Sequence, residues 1–437
     1  MATRALTPKQ SLFVGVTLFS MFFGAGNLIL PPLVGLQAGE HVVPAMAGFL
    51  LTGIGLPVLG IVAVGLAGTI RDLTARVHPA FAAVFVAAVY LAIGPCLAIP
   101  RTASTSFEML VPLLPDDATL TVARIVFSVL FFAAAYLLAM HPSGLTNLLG
   151  RITGPALIAL IVAVVAAALL DPAHAMVPAH ASYAGVPFMQ GFQVGYQTMD
   201  LLASLTFGIV IATNIRELGV TEPSGLTREV TRAGVFAGVL MALIYCGLAL
   251  VGAAIAPSMP DATNGAAILA ASAAAHFGVA GTVVVAAIFL LACLNVCISL
   301  ISCCGTYFSE VFPRVPYRTW AIGFAVFSCV VSNAGLDAIL TFSVPLLNAL
   351  YPIAIVLVVM GMLHRACDRV PRVWLWVVAC TAVPSVLTAL RDAFAKGVWL
   401  PFDALPLADL GLNWALPAVL GVLIGIAASR VRRSERA

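Results

Sequence analysis

The chain has 437 residues, of which 62% are hydrophobic and only 9% are charged, with a formal net charge of +3. Soluble domains carry about 25% charged residues, so this composition excludes a soluble protein and indicates an integral membrane protein. The small net charge, together with the lack of a long basic patch in the sequence, argues against binding of nucleic acid.

Twelve apolar segments are long enough to cross a membrane, since a hydrocarbon core needs about 20 apolar residues per helix. Their apolar runs are continuous rather than alternating, which excludes a twelve-stranded β-barrel. We expect the first span to be retained, because no small-residue cleavage site of a signal peptide follows it. The predicted spans are 11–36, 42–69, 80–99, 121–140, 152–170, 188–214, 233–256, 278–303, 319–336, 338–363, 373–390 and 413–429. The sequence therefore predicts an all-α polytopic membrane protein with a single transmembrane domain over 1–437.

The basic residues are distributed unequally between the two sides of these spans. With an even number of spans both termini share one side, and placing them inside leaves only Arg101, Arg124, Arg391 and Lys396 outside, out of 21 lysines and arginines. This asymmetry follows the positive-inside rule, and it predicts that both termini are cytoplasmic.

Span 1 contains an interruption in its middle, in the stretch SMFFGAGNLILPP (20–32). Lipid cannot satisfy the backbone groups of a broken helix, so such breaks occur only around a cavity or inside protein. The half-helix that follows carries free N–H groups and partial positive charge at its start, so Gly24–Gly26 is predicted to bind a carboxylate. The carbonyls near residues 20–23 and the Asn27 side-chain oxygen suit a cation. The alternative is a packing face of small residues.

Span 3 reads YLAIGPCLAIPRTASTSFE over residues 90–108. The pair Gly94–Pro95 and the following Pro100 predict a kink in this helix. Arg101 and Glu108 are spaced to share one helix face, and we expect them to pair near the outer mouth. Such a pair is either a gate or an interfacial anchor for the helix.

Span 6 holds the stretch GYQTMDLLASLTFG (195–208), with an acidic residue, Asp200, near its middle. An ionisable residue inside a membrane is costly and indicates a functional role by default. Three roles are open: pairing with a substrate ammonium, coordinating Na+, or carrying a proton. A packing aspartate is the structural alternative. Thr198 offers a hydroxyl to a cation, although a lone buried threonine more often bonds its own helix.

The interruptions in spans 1 and 6 indicate an inverted repeat. Five spans separate their starts, and an odd number of spans makes the second copy enter from the opposite face. Repeat one then covers about 11–170, repeat two about 188–363, and two extra helices follow over 373–429. A pair of interrupted spans in corresponding positions of two halves is the best sequence indication of a transporter binding site.

Span 8 reads LLACLNVCISLISCC over residues 290–304. Asn295, Ser299 and Ser302 form a polar set, and the two serines share one helix face because they are three residues apart. These side chains either supply ligands to a second cation or make hydrogen bonds between helices.

Four motifs closely resemble the bacterial branched-chain amino acid:cation symporter family, the BrnQ-type carriers. They are FSMFFGAGNLILPP, YLAIGPCLAIPRTA, GYQTMDLLASLTFGIV and NALYPIAIVL. The resemblance runs over nearly the whole chain. It implies membership of the amino acid/polyamine/organocation superfamily, a LeuT-type fold of five plus five helices with helices 1 and 6 broken, and a place in the bacterial cytoplasmic membrane. Members of this family take up leucine, isoleucine and valine with Na+, or in some cases H+.

The resemblance also implies a set of site residues at the two breaks. The substrate-binding residues are Gly24, Ala25, Gly26, Gln197, Thr198 and Asp200. The ligands of a sodium ion beside the substrate are Phe22, Asn27 and Thr198. The ligands of a second sodium ion are Ser20, Phe23, Asn295 and Ser299. Span 8 departs from the usual LTTAIGL of these carriers, because it reads LNVCISL, and Val296 cannot bind an ion through its side chain.

The expected function is secondary active symport of branched-chain amino acids with Na+ by alternating access. We expect no enzymatic activity, because no catalytic motif such as H-E-x-x-H or a P-loop is present. We also expect no cofactor beyond the coupling ion, no bound nucleic acid and no obligate protein partner. The chain is expected to contact the lipid bilayer. The alternatives are an H+-coupled carrier of these or other small neutral amino acids, and a transport-inactive sensor.

Overall fold

The computed structural model describes residues 5–111, 120–140, 145–169, 177–395 and 397–434, and all regular structure in these ranges is helical. The α-helices in chain order are α1 (Pro8–Phe22), α2 (Ala25–Ala38), α3 (Val42–Leu50), α4 (Leu56–Ala67), α5 (Ile70–Ala75), α6 (Pro79–Leu91), α7 (Ala98–Glu108), α8 (Leu120–Ala139), α9 (Leu145–Leu148), α10 (Gly154–Leu169), α11 (Ala181–Ala184), α12 (Pro187–Tyr196), α13 (Asp200–Glu217), α14 (Pro223–Ile255), α15 (Gly265–Phe277), α16 (Val279–Val311), α17 (Tyr317–Ser332), α18 (Leu336–Met362), α19 (His364–Cys367), α20 (Arg372–Phe394) and α21 (Ala415–Ser434). Short π-helical segments are Leu51–Gly55, Ala92–Cys96 and Leu149–Thr153, and 3-10 turns are Gly39–His41, Pro401–Ala404 and Ala408–Leu410.

Within the described residues, eight helical runs are long and apolar enough to cross a membrane, or up to nine if the bent pair α12–α13 is one span. The fold is therefore an all-helical polytopic membrane fold. The count of twelve stays a prediction, because other helices fall short by themselves of the roughly 20 residues that span a bilayer. Thus α1 has 15 residues and α17 has 16.

The chain leaves helical geometry at three places that shape the interior. Phe23 and Gly24 are extended between α1 and α2. The helices α12 and α13 are bent by 43° around residues 197–199. Gly94 is non-helical beside Pro95, so the kink predicted in span 3 is present, and α7 begins afresh at Ala98.

Glycines let neighbouring helices approach at backbone distance. A Cβ atom added at Gly252 of α14 would lie 1.9 Å from the Pro32 carbonyl oxygen of α2. A Cβ atom at Gly191 of α12 would lie 1.9 Å from the Ala45 carbonyl oxygen of α3. Small residues at such crossings are typical of helix packing in membranes, where close contact replaces the hydrophobic effect. These crossings fix α2 and α12, each of which adjoins a helix break.

The predicted pair of Arg101 and Glu108 is wrong. The Glu108 carboxylate at the end of α7 lies 3.8 Å from the guanidinium of Arg124 on α8. Arg101 is 4% exposed and faces the protein interior. The break at Gly94–Pro95 restarts the helix and sets the direction of α7, so Arg101 points into the protein rather than toward Glu108.

Candidate functional site at the two helix breaks

The first break holds the start of α2 in a defined conformation. The Asn27 side-chain oxygen accepts a hydrogen bond from the Gly24 N–H at 3.1 Å, which closes the loop between the two half-helices. The Leu28 N–H donates to the Gly24 carbonyl at 3.2 Å and begins the regular helical pattern. The N–H groups of the first turn have no partner within a helix, so this end attracts negative charge.

The second break places a carboxylate at the start of a helix. The Thr198 hydroxyl donates to the Gly195 carbonyl at 2.9 Å and accepts from the Asp200 N–H at 3.4 Å. Met199, between them, has φ of 66°, a left-handed conformation that is strained for a residue with a side chain. Such strain persists only where the surrounding structure imposes it, and it concentrates at functional sites.

Hydrogen bonds join the two breaks directly. The Asn27 amide nitrogen donates to Asp200 Oδ2 at 2.6 Å and also to the hydroxyl of Tyr245 on α14. The Tyr245 hydroxyl donates to the same carboxylate oxygen at 3.2 Å. Asp200 is 2% exposed and is the first residue of α13, where the helix dipole favours its negative charge. Sequence analysis missed Tyr245, since a single tyrosine in an apolar span carries no local signal.

A guanidinium from a third element completes the polar groups. Arg101 Nη1 donates to the Gln197 carbonyl at 2.9 Å, and Nε and Nη2 have no hydrogen-bond partner. A Cβ atom added at Gly26 would lie 2.9 Å from Arg101 Nη2, so the guanidinium lies against the first turn of α2. Sequence analysis considered Arg101 only as a partner of Glu108 and missed its position at this cavity.

These groups surround a cavity of about 40 Å³. Its polar lining is Asn27, Arg101, Thr102, Thr198 and Asp200, and its apolar lining includes Met21, Phe22, Ile93, Phe207, Val296 and Leu300. By the space that one water needs, this volume holds about three waters. The cavity wall therefore carries charged side chains of both signs, and the rest of the wall is apolar. A cavity of this volume must widen before it admits a small organic ligand.

The predicted site residues divide into two groups. Those that line the cavity are Phe22, Gly24, Ala25, Gly26, Asn27, Thr198 and Asp200, and Gln197 reaches it through the hydrogen bond of its carbonyl. Those that do not line it are Ser20, Phe23, Asn295 and Ser299. On α16 it is instead Val296 and Leu300 that face the cavity.

Two of the residues predicted to bind a second ion, Ser20 and Ser299, donate their hydroxyls to backbone carbonyls. The Ser20 hydroxyl donates to the Leu149 carbonyl at 3.3 Å, and the Ser299 hydroxyl donates to the Asn295 carbonyl at 2.7 Å. Both polar atoms of the Asn295 side chain are buried without a partner. In the part of the chain that the structure describes, no cluster of three His, Cys, Asp or Glu residues could hold a metal ion. The second ion site stays a prediction.

A second, larger cavity of about 270 Å³ lies between α12, α18 and α20. Gln197 belongs to its lining, and the Gln197 carbonyl accepts a hydrogen bond from Arg101, which lines the smaller cavity. The Gln193 side chain donates to the Leu410 carbonyl, and Arg391 Nη1 lies 2.6 Å from both Asp403 oxygens. The Leu400 N–H and the Arg391 guanidinium lower the pKa of the Asp403 carboxyl. The Gln193 contact ties the segment before α21 to α12, which leads into the second break, and the Arg391 contact ties the same segment to α20.

Comparison with known proteins gives consistent results along the chain. Residues 7–432 match the family described as "Branched-chain amino acid transport protein". The branched-chain amino acid permease BraB of Bacillus subtilis is 38% identical over 430 residues, covering 96% of each chain. The branched-chain amino acid transport system 2 carrier protein of Pseudomonas aeruginosa is 39% identical over 428 residues, covering 97% of each.

A solved structure resembles the chain in fold. It is a nucleobase-cation-symport-1 family transporter in a closed conformation with bromovinylhydantoin bound. The TM-score is 0.60 at 14% sequence identity, covering 98% of this chain and 95% of the other. At this identity the likeness concerns the fold alone, which is LeuT-like.

Proposed function

Because the chain belongs to the branched-chain amino acid transport protein family, we propose that it imports leucine, isoleucine and valine as a Na+-driven secondary symporter. It is a multi-pass membrane transport protein and not an enzyme, as its relatives are permeases and carriers. The observation that supports symport most directly is the Asn27–Asp200 hydrogen bond beside a small cavity, because it joins the two helix breaks. Twelve spans in a five-plus-five inverted repeat, with cytoplasmic termini, complete the proposal.

In the proposed mechanism the substrate binds between the breaks. Its carboxylate faces the N–H groups of Gly24–Gly26, and its ammonium faces Asp200 with the carbonyls of Gln197 and Thr198. The branched side chain lies on the apolar wall, where Val296 and Leu300 already face the cavity. Burial of such a side chain is favourable by about 2 kcal/mol, and a polar side chain would lose its water without a partner.

Ion binding is coupled to substrate binding through the first break. Asn27, with Phe22 and Thr198, is the proposed ligand set of a sodium ion beside the substrate. The Asn27 oxygen accepts a hydrogen bond from the Gly24 N–H. If this oxygen bound an ion instead, that N–H would be free to bind the substrate. The same side chain holds Asp200, so one ion would alter both breaks at once. A shared ligand of this kind makes occupancy of one site depend on the other.

A second candidate is coupling to H+ through Asp200. The observations that favour it are the complete burial of this carboxylate and the apolar Val296 at the cavity wall of α16. An intramembrane carboxylate bonded to neutral donors is suited to a proton relay. In this version Asp200 gains a proton on the outer side and releases it on the inner side.

Leucine uptake into proteoliposomes tests both versions, with Na+ and pH gradients imposed separately. We expect accumulation under an inward Na+ gradient at symmetric pH, and only equilibration of leucine without a gradient. Accumulation under a pH gradient alone would support the second candidate. An absence of uptake under either gradient would contradict symport of leucine altogether.

A further inference from the structure

The guanidinium of Arg101 is a buried cation with unused hydrogen-bonding capacity. It is 4% exposed, and only Nη1 has a partner, the Gln197 carbonyl at 2.9 Å. Nε and Nη2 are buried without a hydrogen-bond partner. Leaving a charged group unpaired in a desolvated place costs several kcal/mol, so a partner is expected when the site is occupied.

The two free nitrogens have the geometry of a carboxylate site. Nε and Nη2 lie on the same edge of the guanidinium, and that edge can donate two parallel hydrogen bonds to the two oxygens of a carboxylate. The Gln197 carbonyl occupies Nη1 and so anchors the group by the opposite end. This anchor fixes the plane of the fork while leaving the bidentate edge available.

The Nε and Nη2 edge of Arg101 adds a second source of positive charge at the start of α2. Arg101 lines the cavity, and its Nη2 lies so close to Gly26 that a Cβ atom there would approach it to 2.9 Å. The first-turn N–H groups of α2 carry partial positive charge at the same place. An anionic group of the ligand is therefore favoured by two independent sources of charge.

The opposite charge lies on the same cavity. Asp200 is one of its lining residues, and Asn27 and Tyr245 hold its carboxylate. We propose that Arg101 binds the α-carboxylate of the substrate through Nε and Nη2, and that Arg101 and Asp200 together select zwitterionic α-amino acids. This inference rests on the proposed function and names the group that recognises the substrate's carboxylate.

Recognition by Arg101 predicts a different ligand preference from recognition by backbone N–H groups alone. Backbone N–H groups also bind neutral acceptors such as a hydroxyl or an amide oxygen, whereas a buried guanidinium gains much more from an ionised partner than from a neutral one. Leucinol has the ammonium and the side chain of leucine but carries a hydroxyl in place of the carboxylate. The ratio of leucinol Kd to leucine Kd therefore measures recognition of the carboxylate.

The experiment measures this ratio for purified full-length protein in nanodiscs. The wild type is expected to bind leucine much more tightly than leucinol. Arg101→Gln is expected to weaken leucine binding about 10- to 100-fold, the usual effect of losing a charge-assisted hydrogen-bonded pair, with little change for leucinol. Arg101→Lys keeps the positive charge but cannot donate two parallel hydrogen bonds, so its leucine affinity is expected to lie between those of wild type and Arg101→Gln. The matched control is Arg124→Gln, whose arginine pairs with Glu108 outside the cavity and which should keep the wild-type ratio.

An unchanged ratio in Arg101→Gln, or an equal loss for both ligands, would show that Arg101 only supports the fold or balances Asp200. If Arg101→Gln does not purify as a monodisperse protein, Arg101→Lys decides by the same ratio. Failure of the proposed substrate gives a different result. A wild type that binds alanine but not leucine would contradict the proposed function, and alanine with alaninol would then test Arg101 in the same way.

Discussion

The side-chain amide of Asn27 donates a 2.6 Å hydrogen bond to the Asp200 carboxylate across 173 residues of sequence. Each partner belongs to a different helix break, and both are buried. The oxygen of the same amide accepts from the Gly24 N–H, so one side chain bonds to the backbone of the first break and to the carboxylate of the second. We therefore expect a ligand that replaces either bond to move both breaks, as the proposed alternating access about a central site requires.

Replacement of Asp200 by asparagine is the most direct test of this contact. Asp200→Asn removes the charge with little change of shape. It also replaces one acceptor oxygen by an NH₂ donor, which cannot accept a hydrogen bond from the Asn27 NH₂ group. We expect leucine uptake to fall at least about 10-fold under either gradient, because a charge-assisted bond is lost. Tyr245→Phe, which removes one neutral donor to the same oxygen, should cost only about fivefold. Full Na+-driven uptake by Asp200→Asn would mean that this residue does not couple the ion.

Part of this site could be predicted from sequence, because its signals are local. The boundaries of α1 and α2, at Phe22 and Ala25, fall in the segment where glycines and Asn27 interrupt an apolar run. Asp200 was indicated because a carboxylate near the middle of a span is rare and costly.

The remainder depends on tertiary structure. Arg101 follows Pro100 near the end of an apolar run, so by sequence it belonged to the outer surface. Only the direction of α7 after the break at Gly94 shows that it faces the cavity. Tyr245 lies on α14, and its contact with Asp200 depends on helix packing that no local pattern encodes. On α16 the polarity of Asn295 and Ser299 suggested ligands, but burial between helices is equally compatible with polar residues.

Substitution at the crossing of α2 and α14 is expected to be severely destabilising. In Gly252→Ala the new Cβ would lie 1.9 Å from the Pro32 carbonyl oxygen, so the helices must separate at backbone level. We expect a loss of about 3 kcal/mol or more, or failure to fold, measured as a lower Tm of the purified protein. The control Gly323→Ala is a helical position with no atom within 4 Å of the new Cβ, and should raise stability by up to about 1 kcal/mol. Equal Tm values for the two variants would contradict the close packing.

The Asp403 contact predicts a dependence of stability on pH. Its pKa is lowered by the Leu400 N–H and by Arg391, so the folded state favours the charged carboxylate. The stabilisation is therefore present above the ordinary carboxyl pKa of about 3.9 and is lost as the pH falls through the lower folded value. Asp403→Asn should lower the Tm at pH 7, and the difference from wild type should shrink as the pH falls below about 4. Asp409→Asn removes a charge from the same segment and serves as the control. A difference that stays constant from pH 7 to pH 3 would contradict the assignment.

Gly24 and Val296 are predicted to be energetically coupled. Gly24 has a negative φ of −123°, so alanine is compatible with its backbone, but the added Cβ would lie 2.8 Å from Val296 Cγ2. Valine is stiff at χ1 and cannot move aside cheaply. Gly24→Ala should therefore reduce leucine uptake about 10-fold or more, and Val296→Ala in the same chain should restore part of it. A double-mutant cycle should give a coupling energy of about 1 to 3 kcal/mol. If the effects of the two substitutions simply add, the loss in Gly24→Ala comes from a change in the backbone of the break and not from a clash with Val296.

Val296 leaves the α16 side of the cavity without a side-chain ligand for a cation. A valine side chain offers no ligand, so we expect wild-type uptake to depend on Na+ with a Hill coefficient near one. Val296→Thr replaces a methyl group at the cavity wall by a hydroxyl of nearly equal volume. A buried hydroxyl without a partner costs about 1 to 3 kcal/mol. The variant should therefore be less stable than wild type in K+ and should recover in Na+, giving a larger Na+-induced rise in Tm. Val296→Ala, which adds no hydroxyl, should not show this rise. If Val296→Thr and wild type respond equally to Na+, this wall does not adjoin an ion, and the coupling cation must bind through the side of the cavity formed by Asn27 and Asp200.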